Sequence, residues 1–242
     1  MDPRTYHLLY EDRDGSVIGV DEMQLLEEPI AERVPALREL LGSDDGYVAF
    51  QAAQILAAWG DADGIAYFER LVADWPAEGP GYYAHRIHDY DNTADLVAEA
   101  VHVYLLSGGD QGRVTRLFGA LLGLYGPLQF ESRLKDALLR RGDPALADAV
   151  RQAVLRAANL GRPYLASQLL PVLARWRGDE ALPLLDRFAA AADDRPSPRL
   201  NVAEALRYLP PADARPRLER LAADPDAVVA ATARESLSAL SS

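Results

Sequence analysis

A Gly-Asp pair returns along this chain at 60–61, 109–110, 142–143 and 178–179, at intervals of 49, 33 and 36 residues. Asp213 continues the series 34 residues after Asp179, there among prolines. Glycine ends a helix and the carboxylate after it caps the next, so each pair marks a helix boundary. A period in the mid-thirties that holds two helices is the signature of stacked helix pairs. The spacing predicts six pairs, at about 30–59, 61–107, 110–141, 143–177, 179–209 and 211–240. Pro171, Pro183 and Pro216 fall inside these patterns and should bend a helix or mark a first turn.

The unit is clearest between Val34 and Leu71. Val34, Leu37, Leu40 and Leu41 form one apolar stripe at helical spacing, and Val48, Ala52, Leu56 and Trp59 form a second. Pro35-Ala36-Leu37, Asp44-Asp45, Ala52-Ala53 and Gly60-Asp61 follow one another in the order of the HEAT-repeat family, which the stretch resembles. The resemblance extends to the short bacterial relatives of the phycobilisome-lyase type. It implies an all-α, right-handed α-solenoid in which the second helix of each pair lines the concave side. Ala49 departs from the pattern, since the family often carries Arg there for a contact between repeats. Tetratricopeptide repeats share the period, but their Trp, Leu-Gly and Tyr positions are not met in phase.

Two segments do not fit the repeat. In residues 1–29 the apolar runs Tyr6–Tyr10 and Ser16–Val20 flank Asp12-Arg13-Asp14-Gly15, which reads as a small hairpin or irregular cap over the solenoid end. Residues 30–242 then form the solenoid, one domain overall with the cap. The long interval holds an insertion, residues 75–93, rich in Pro and Gly at its start and in rings thereafter: Trp75, Tyr82, Tyr83, His85, His88 and Tyr90. Aromatic loops of this length are either binding elements or plugs that fold back over the groove. Both readings stay open.

The helix that follows carries Asp95, Glu99 and His102 at i, i+4 and i+7, with Asp91 just before it. Such a stripe is an acidic docking surface, a cation site, or the solvated side of an amphipathic helix. His85 and His88 stand at i, i+3, but no thiolate or metalloprotease motif accompanies them, and no metal or cofactor is expected. The partner-binding set is therefore Tyr82, Tyr83, His85, His88, Tyr90, Asp91, Asp95, Glu99 and His102.

The net charge of −12 is unevenly placed. Residues 1–110 hold 22 acidic and 6 basic side chains, a net of −16, and residues 111–242 hold 15 and 19, a net of +4. A directional field favours an oppositely charged partner, although exposed Asp, Glu and Arg also follow from GC-rich coding in a bacterium. Twenty-four of the 25 basic residues are arginine, and Arg133, Arg140, Arg141, Arg175, Arg177 and Arg207 gather near the ends of second helices, where cations complement the dipole. Cysteine is absent, which removes disulfides, thiolate zinc sites and Cys nucleophiles. Gly108–Gly112 lacks the Lys-Ser/Thr of a phosphate loop, and no Gly-x-Ser-x-Gly elbow occurs. The start, Met-Asp-Pro-Arg, has no apolar signal core, so a cytoplasmic, membrane-free protein is expected.

A non-catalytic binding solenoid follows, with a basic protein as partner. An immunity protein that neutralises a basic toxin domain fits charge, size and compartment. An assembly adaptor competes with it. The resemblance also raises two enzymes, a HEAT-like DNA glycosylase and a chromophore lyase. Both act on acidic ligands that the acidic N-terminal half would repel, so no nucleic-acid partner is expected.

Overall fold

Helix starts in this chain are written as Asp or Ser just ahead of an apolar stripe. The computed structural model describes residues 1–26, 30–77, 79–82, 90–190 and 196–240, with no β-strand among them. Fifteen α-helices run through the described residues: α1 (Pro3–Tyr10), α2 (Val20–Gln24), α3 (Val34–Leu40), α4 (Gly46–Ala58), α5 (Ala62–Ala73), α6 (Thr93–Leu106), α7 (Gln111–Leu124), α8 (Arg133–Arg141), α9 (Ala147–Asn159), α10 (Pro163–Gln168), α11 (Leu170–Trp176), α12 (Gly178–Ala189), α13 (Pro198–Leu206), α14 (Pro211–Leu221) and α15 (Ala227–Ala239). The fold is all-α. Asp2, Asp45, Asp61 and Asp226 each accept a backbone N–H at the start of the helix they precede, and Ser197 does the same for α13. Each satisfies a donor that has no partner inside its helix.

In chain order the helices fall within the six expected intervals: α3 and α4, α5 and α6, α7 and α8, α9 to α11, α12 and α13, and α14 and α15. Pro171 sits in the first turn of α11 and divides the second helix of the fourth pair, as its ring requires. Pro183 and Pro216 are accommodated inside α12 and α14. The chain separates into two compact units, Met1–Leu121 and Leu122–Ser242, with the division inside α7.

In the first unit α4 is the central element. It packs on α2, α3, α5 and α6, and Val48 through Ala58 are buried without interruption. By contrast α5 buries one stripe, Gly64, Ile65, Phe68 and Val72. Gly64 lets it sit directly on the α4 backbone, because a Cβ there would come within 2.7 Å of the Ala53 carbonyl oxygen and the Ala57 nitrogen. The second helix of a pair is thus enclosed while the first keeps a solvent face.

The N-terminal segment is helical rather than a hairpin. Asp2 accepts from Thr5 N at 3.0 Å and Pro3 presets the first turn, so Tyr6–Tyr10 winds into α1. One antiparallel bridge, Glu11 to Val17, is what remains of the expected pairing. The turn between is closed by Asp12, whose carboxylate accepts from Asp14 N and Ser16 N, with Gly15 at φ +78°. The segment packs into the core of the first unit. Leu8, Leu9 and Met23 join Leu37, Val48, Ile55 and Leu56 in one apolar cluster, and Trp59 Nε1 donates to the Met23 carbonyl at 3.1 Å.

In the second unit α8, α11, α13 and α15 pack each on the next, and α13 also touches α10, α12 and α14. A buried polar chain runs through this layer: Asn201 Nδ2 donates to Ser167 Oγ at 2.9 Å, and Ser167 Oγ donates to the Tyr164 carbonyl. Beside it Tyr125, stacked on Phe130 with centroids 4.9 Å apart, donates its hydroxyl to the Leu165 carbonyl at 2.7 Å. These bonds hold α10 in place across the break before α11.

The arginine bias has a use in both units. Arg113 on α7 forks onto Glu69 on α5 at 3.0 and 2.6 Å, and Arg217 on α14 forks onto Asp186 on α12 at 2.8 and 2.8 Å. Arg156 on α9 donates to the Tyr125 carbonyl at 2.8 Å and to that of Leu122, two C-terminal carbonyls of the α7 end. A planar fork joins one helix to the next in a way that an ammonium group cannot. The Arg113 guanidinium holds the Glu69 carboxyl below the ordinary glutamate value, mainly through this hydrogen bond. A depressed carboxyl stabilises the fold above its unfolded pKa, and that contribution is lost as pH falls through the folded value. We expect the native chain to lose stability on acidification below about pH 4.5 more steeply than Arg113→Ala, as urea midpoints at successive pH values would show. Parallel curves would mean that the fork contributes nothing.

Candidate interaction surface

The insertion and α6 were the expected binding surface, and the structure redistributes their residues. Tyr83, His85 and His88 lie outside the described residues. Tyr82 is half-buried and turned inward, with ring centroids 5.4 Å from Phe50 and 6.4 Å from Tyr47. It rests on the first residue of α4, where only glycine leaves room: a Cβ on Gly46 would lie 2.3 Å from the Tyr82 hydroxyl oxygen. The Tyr67 phenol, against the same cluster, is pushed well above its ordinary pKa by burial and then by Tyr82. Tyr82 therefore acts as packing between the insertion and the repeat.

Asp91 is likewise engaged. One of its oxygens accepts from Thr93 N at 3.0 Å and from the Thr93 hydroxyl at 2.5 Å, and the other accepts from Gly81 N at 3.2 Å. The carboxylate closes the insertion and starts α6. Asp95 corrects the expectation most sharply. It was to be an exposed steering charge and it is fully buried, at 0 % exposure. The reason is the helix it stands on: α6 packs on α4 and α5, and Thr93–Ala98, Ala100, Val101 and Tyr104 are all buried. Tyr90, Glu99 and His102 are half-buried. The i, i+4, i+7 stripe exists, but it does not face solvent as one acidic surface. No three carboxylate, imidazole or thiol groups among the described residues are grouped to hold a metal ion.

Exposed apolar surface is concentrated elsewhere. Four of the seven large hydrophobic side chains exposed among the described residues, Met1, Tyr6, Val17 and Leu25, stand in the first 25 residues. Val17 is 66 % and Leu25 77 % exposed, values at which a side chain contributes nothing to the core. Asp14, Asp21 and Glu22 are exposed in the same segment. Glu22 also accepts from Gly19 N at 3.0 Å and so fixes the start of α2. Apolar side chains left out among carboxylates mark an interaction surface more often than singly scattered ones do. The apolar runs that flank Asp14-Gly15 left open a hairpin with Val17 on one strand, and nothing in the sequence separated Leu25 from the half-buried Leu26 beside it.

The second unit has a pocket of about 580 Å³ between α12, α13 and α14. Leu185, Val202, Leu206 and Leu221 make its apolar wall, and two ion pairs frame it. Arg199 meets Asp224 at 2.7 and 3.2 Å, and Arg217 meets Asp186. Arg217 holds the Asp186 carboxyl below its ordinary range, first by hydrogen bonding, so that it stays ionised and offers no proton near neutral pH. The lining supplies no hydroxyl, thiol or imidazole. Arg199 and Asp224, and Arg217 and Asp186, are turned on one another, and Arg220 also lines the pocket.

Compared with known proteins, the sequence matches no family model and no curated protein.

Proposed function

We propose that this chain is a non-catalytic protein-binding scaffold that captures a basic protein on its acidic first unit. Within each unit the helix pairs stack as HEAT-like repeats in a right-handed α-solenoid. The observation that carries the functional reading is the N-terminal cap, where Val17 and Leu25 stand exposed beside Asp14 and Asp21. The unit behind it has 22 acidic against 8 basic residues, a net of −14. Its field speeds the approach of a basic surface, and desolvated apolar side chains set how long the complex lasts. A toxin domain with a basic cleft is the partner class that fits best, which makes an immunity protein the most specific form of this reading.

The test starts by capturing partners from the native host on the immobilised chain and on an Asp14→Lys/Asp21→Lys variant, then measuring rates with the purified partner. The expected partner is basic. Charge reversal should slow association several-fold at low salt and less at high salt, while Leu25→Ala should speed dissociation and leave association unchanged. A partner that is acidic, or one whose rates neither variant alters, would refute the proposal.

A further inference from the structure

We propose that the C-terminal ends of α8, α11 and α13 form a second docking edge, of opposite sign, for a carboxylate-rich protein segment. These helices pack in order, α8 on α11 and α11 on α13. Arg140 and Arg141 end α8, Arg175 lies in the last turn of α11, and Arg207 follows α13, all four exposed. Arg175 ties the row together: one amino group donates to the Leu139 carbonyl of α8, and its guanidinium lies 6.0 Å from the centroid of the Tyr208 ring. Arg207 reaches the same ring at 5.7 Å.

A cation at a helix C-terminus has a structural explanation, the orphan carbonyls and the dipole. That explanation accounts for Arg175, which bonds a carbonyl of the neighbouring helix. It leaves Arg140 and Arg141 over, since no ion pair joins either of them to a described residue. None of the described carboxylates in the turns that follow forms an ion pair with Arg140 or Arg141. Asp143 accepts from Ala145 N at 2.8 Å, and Asp148 and Glu180 are held by Arg177 at 2.6 and 3.0 Å, while Asp179 stays exposed beyond them. The outcome is a row of four exposed guanidiniums along adjacent helix ends, on a chain whose net charge is −12.

Guanidinium groups bind carboxylates as paired forks. Stacked helices stand about 8–10 Å apart, and a polyproline II segment rises about 3.1 Å per residue with three residues per turn, so every third side chain of such a segment lies on one face and meets the next helix end. A nucleic acid fits less well. Single strands need open aromatic faces for their bases, and the Tyr208 ring is already engaged by two guanidiniums. This surface is independent of the acidic cap, and with both in place the protein would join two partners of opposite charge.

Fluorescence anisotropy with a labelled oligoglutamate peptide tests the proposal on the full chain. The native protein should bind it saturably, and binding should weaken steeply as salt shortens the screening length. Arg140→Glu/Arg141→Glu should bind roughly tenfold or more weakly, whereas Arg70→Glu/Arg215→Glu, with the same change in net charge on exposed arginines elsewhere, should bind as the native chain does. Far-ultraviolet dichroism checks that each variant is folded, and Arg207→Gln serves in place of the first if it is not. Absence of saturable binding, equal loss in both charge-reversal variants, or tighter binding of a single-stranded oligonucleotide of equal charge would each overturn the assignment.

Discussion

Replacing Arg199 with alanine should destabilise the protein by about 3–5 kcal/mol, the range for removing one partner of a buried ion pair. The side chains of Arg199 and Asp224 are 10 % and 6 % exposed, so the pair is largely withdrawn from water. Both carboxylate oxygens of Asp224 accept from the guanidinium, and one also accepts from Asp226 N at 2.9 Å, just before α15. Without Arg199 the carboxylate stays inside the protein with two of these three hydrogen bonds gone. The pair itself need not be stabilising. Taking both charges out of water costs nearly as much as their attraction returns, so Arg199→Met combined with Asp224→Leu should lose far less than Arg199→Ala alone. Urea unfolding gives the magnitude, and hydrogen exchange along α13 and α15 gives the location. A loss under about 1 kcal/mol in the single variant would show that the pair is solvated in solution.

What the sequence made legible was whatever depends on neighbours along the chain. Gly60-Asp61 fell at a helix boundary because a left-handed glycine, here at φ +76°, and a capping carboxylate are local requirements. Leu37 and Leu56 fell inside because an apolar stripe at helical spacing has one face to bury. Pro171 marked a first turn for the same kind of reason. Asp95 was misjudged because its exposure is a property of α4 and α5, which lie against α6, and not of α6 itself. A helical stripe of Asp, Glu and His shows that the three share a face and says nothing of what covers it. Val17 failed in the opposite direction. The apolar runs flanking Asp14-Gly15 suggested a hairpin or an irregular cap, but the Asp2-Pro3 start drew Tyr6–Tyr10 into a helix, and Val17 was left exposed with one bridge. Both misjudgements concern exposure, which is set by the elements packed against a residue and not by its neighbours along the chain.

Leu56→Ala should be nearly as damaging, at about 2–5 kcal/mol, with the upper half of the range expected. Leu56 is fully buried in the cluster that contains Leu8, Leu9, Met23, Leu37 and Ile55. The cost of such a cavity depends on how far the surroundings can close over it. Here they have little freedom. A Cβ on Gly64 would already lie 2.9 Å from Leu56 Cβ, so α5 stands as near to α4 as backbone allows. On the other side Trp59 Nε1 and the Met23 carbonyl hold α2 against α4. The void would therefore persist under the N-terminal cap, and the cap should loosen first. Amides of α1 and α2 are expected to exchange faster in Leu56→Ala than in the native chain, by a larger factor than amides of α5. Leu25→Ala, at an exposed position in the same segment, should change the free energy of unfolding by less than about 0.5 kcal/mol, which separates a binding residue from a packing one. If Leu56→Ala unfolds at the native urea concentration, α4 does not present this face to the cap. The exposed positions assigned to Val17 and Leu25 would fall with it, because the cap would then rest on some other surface of the repeat.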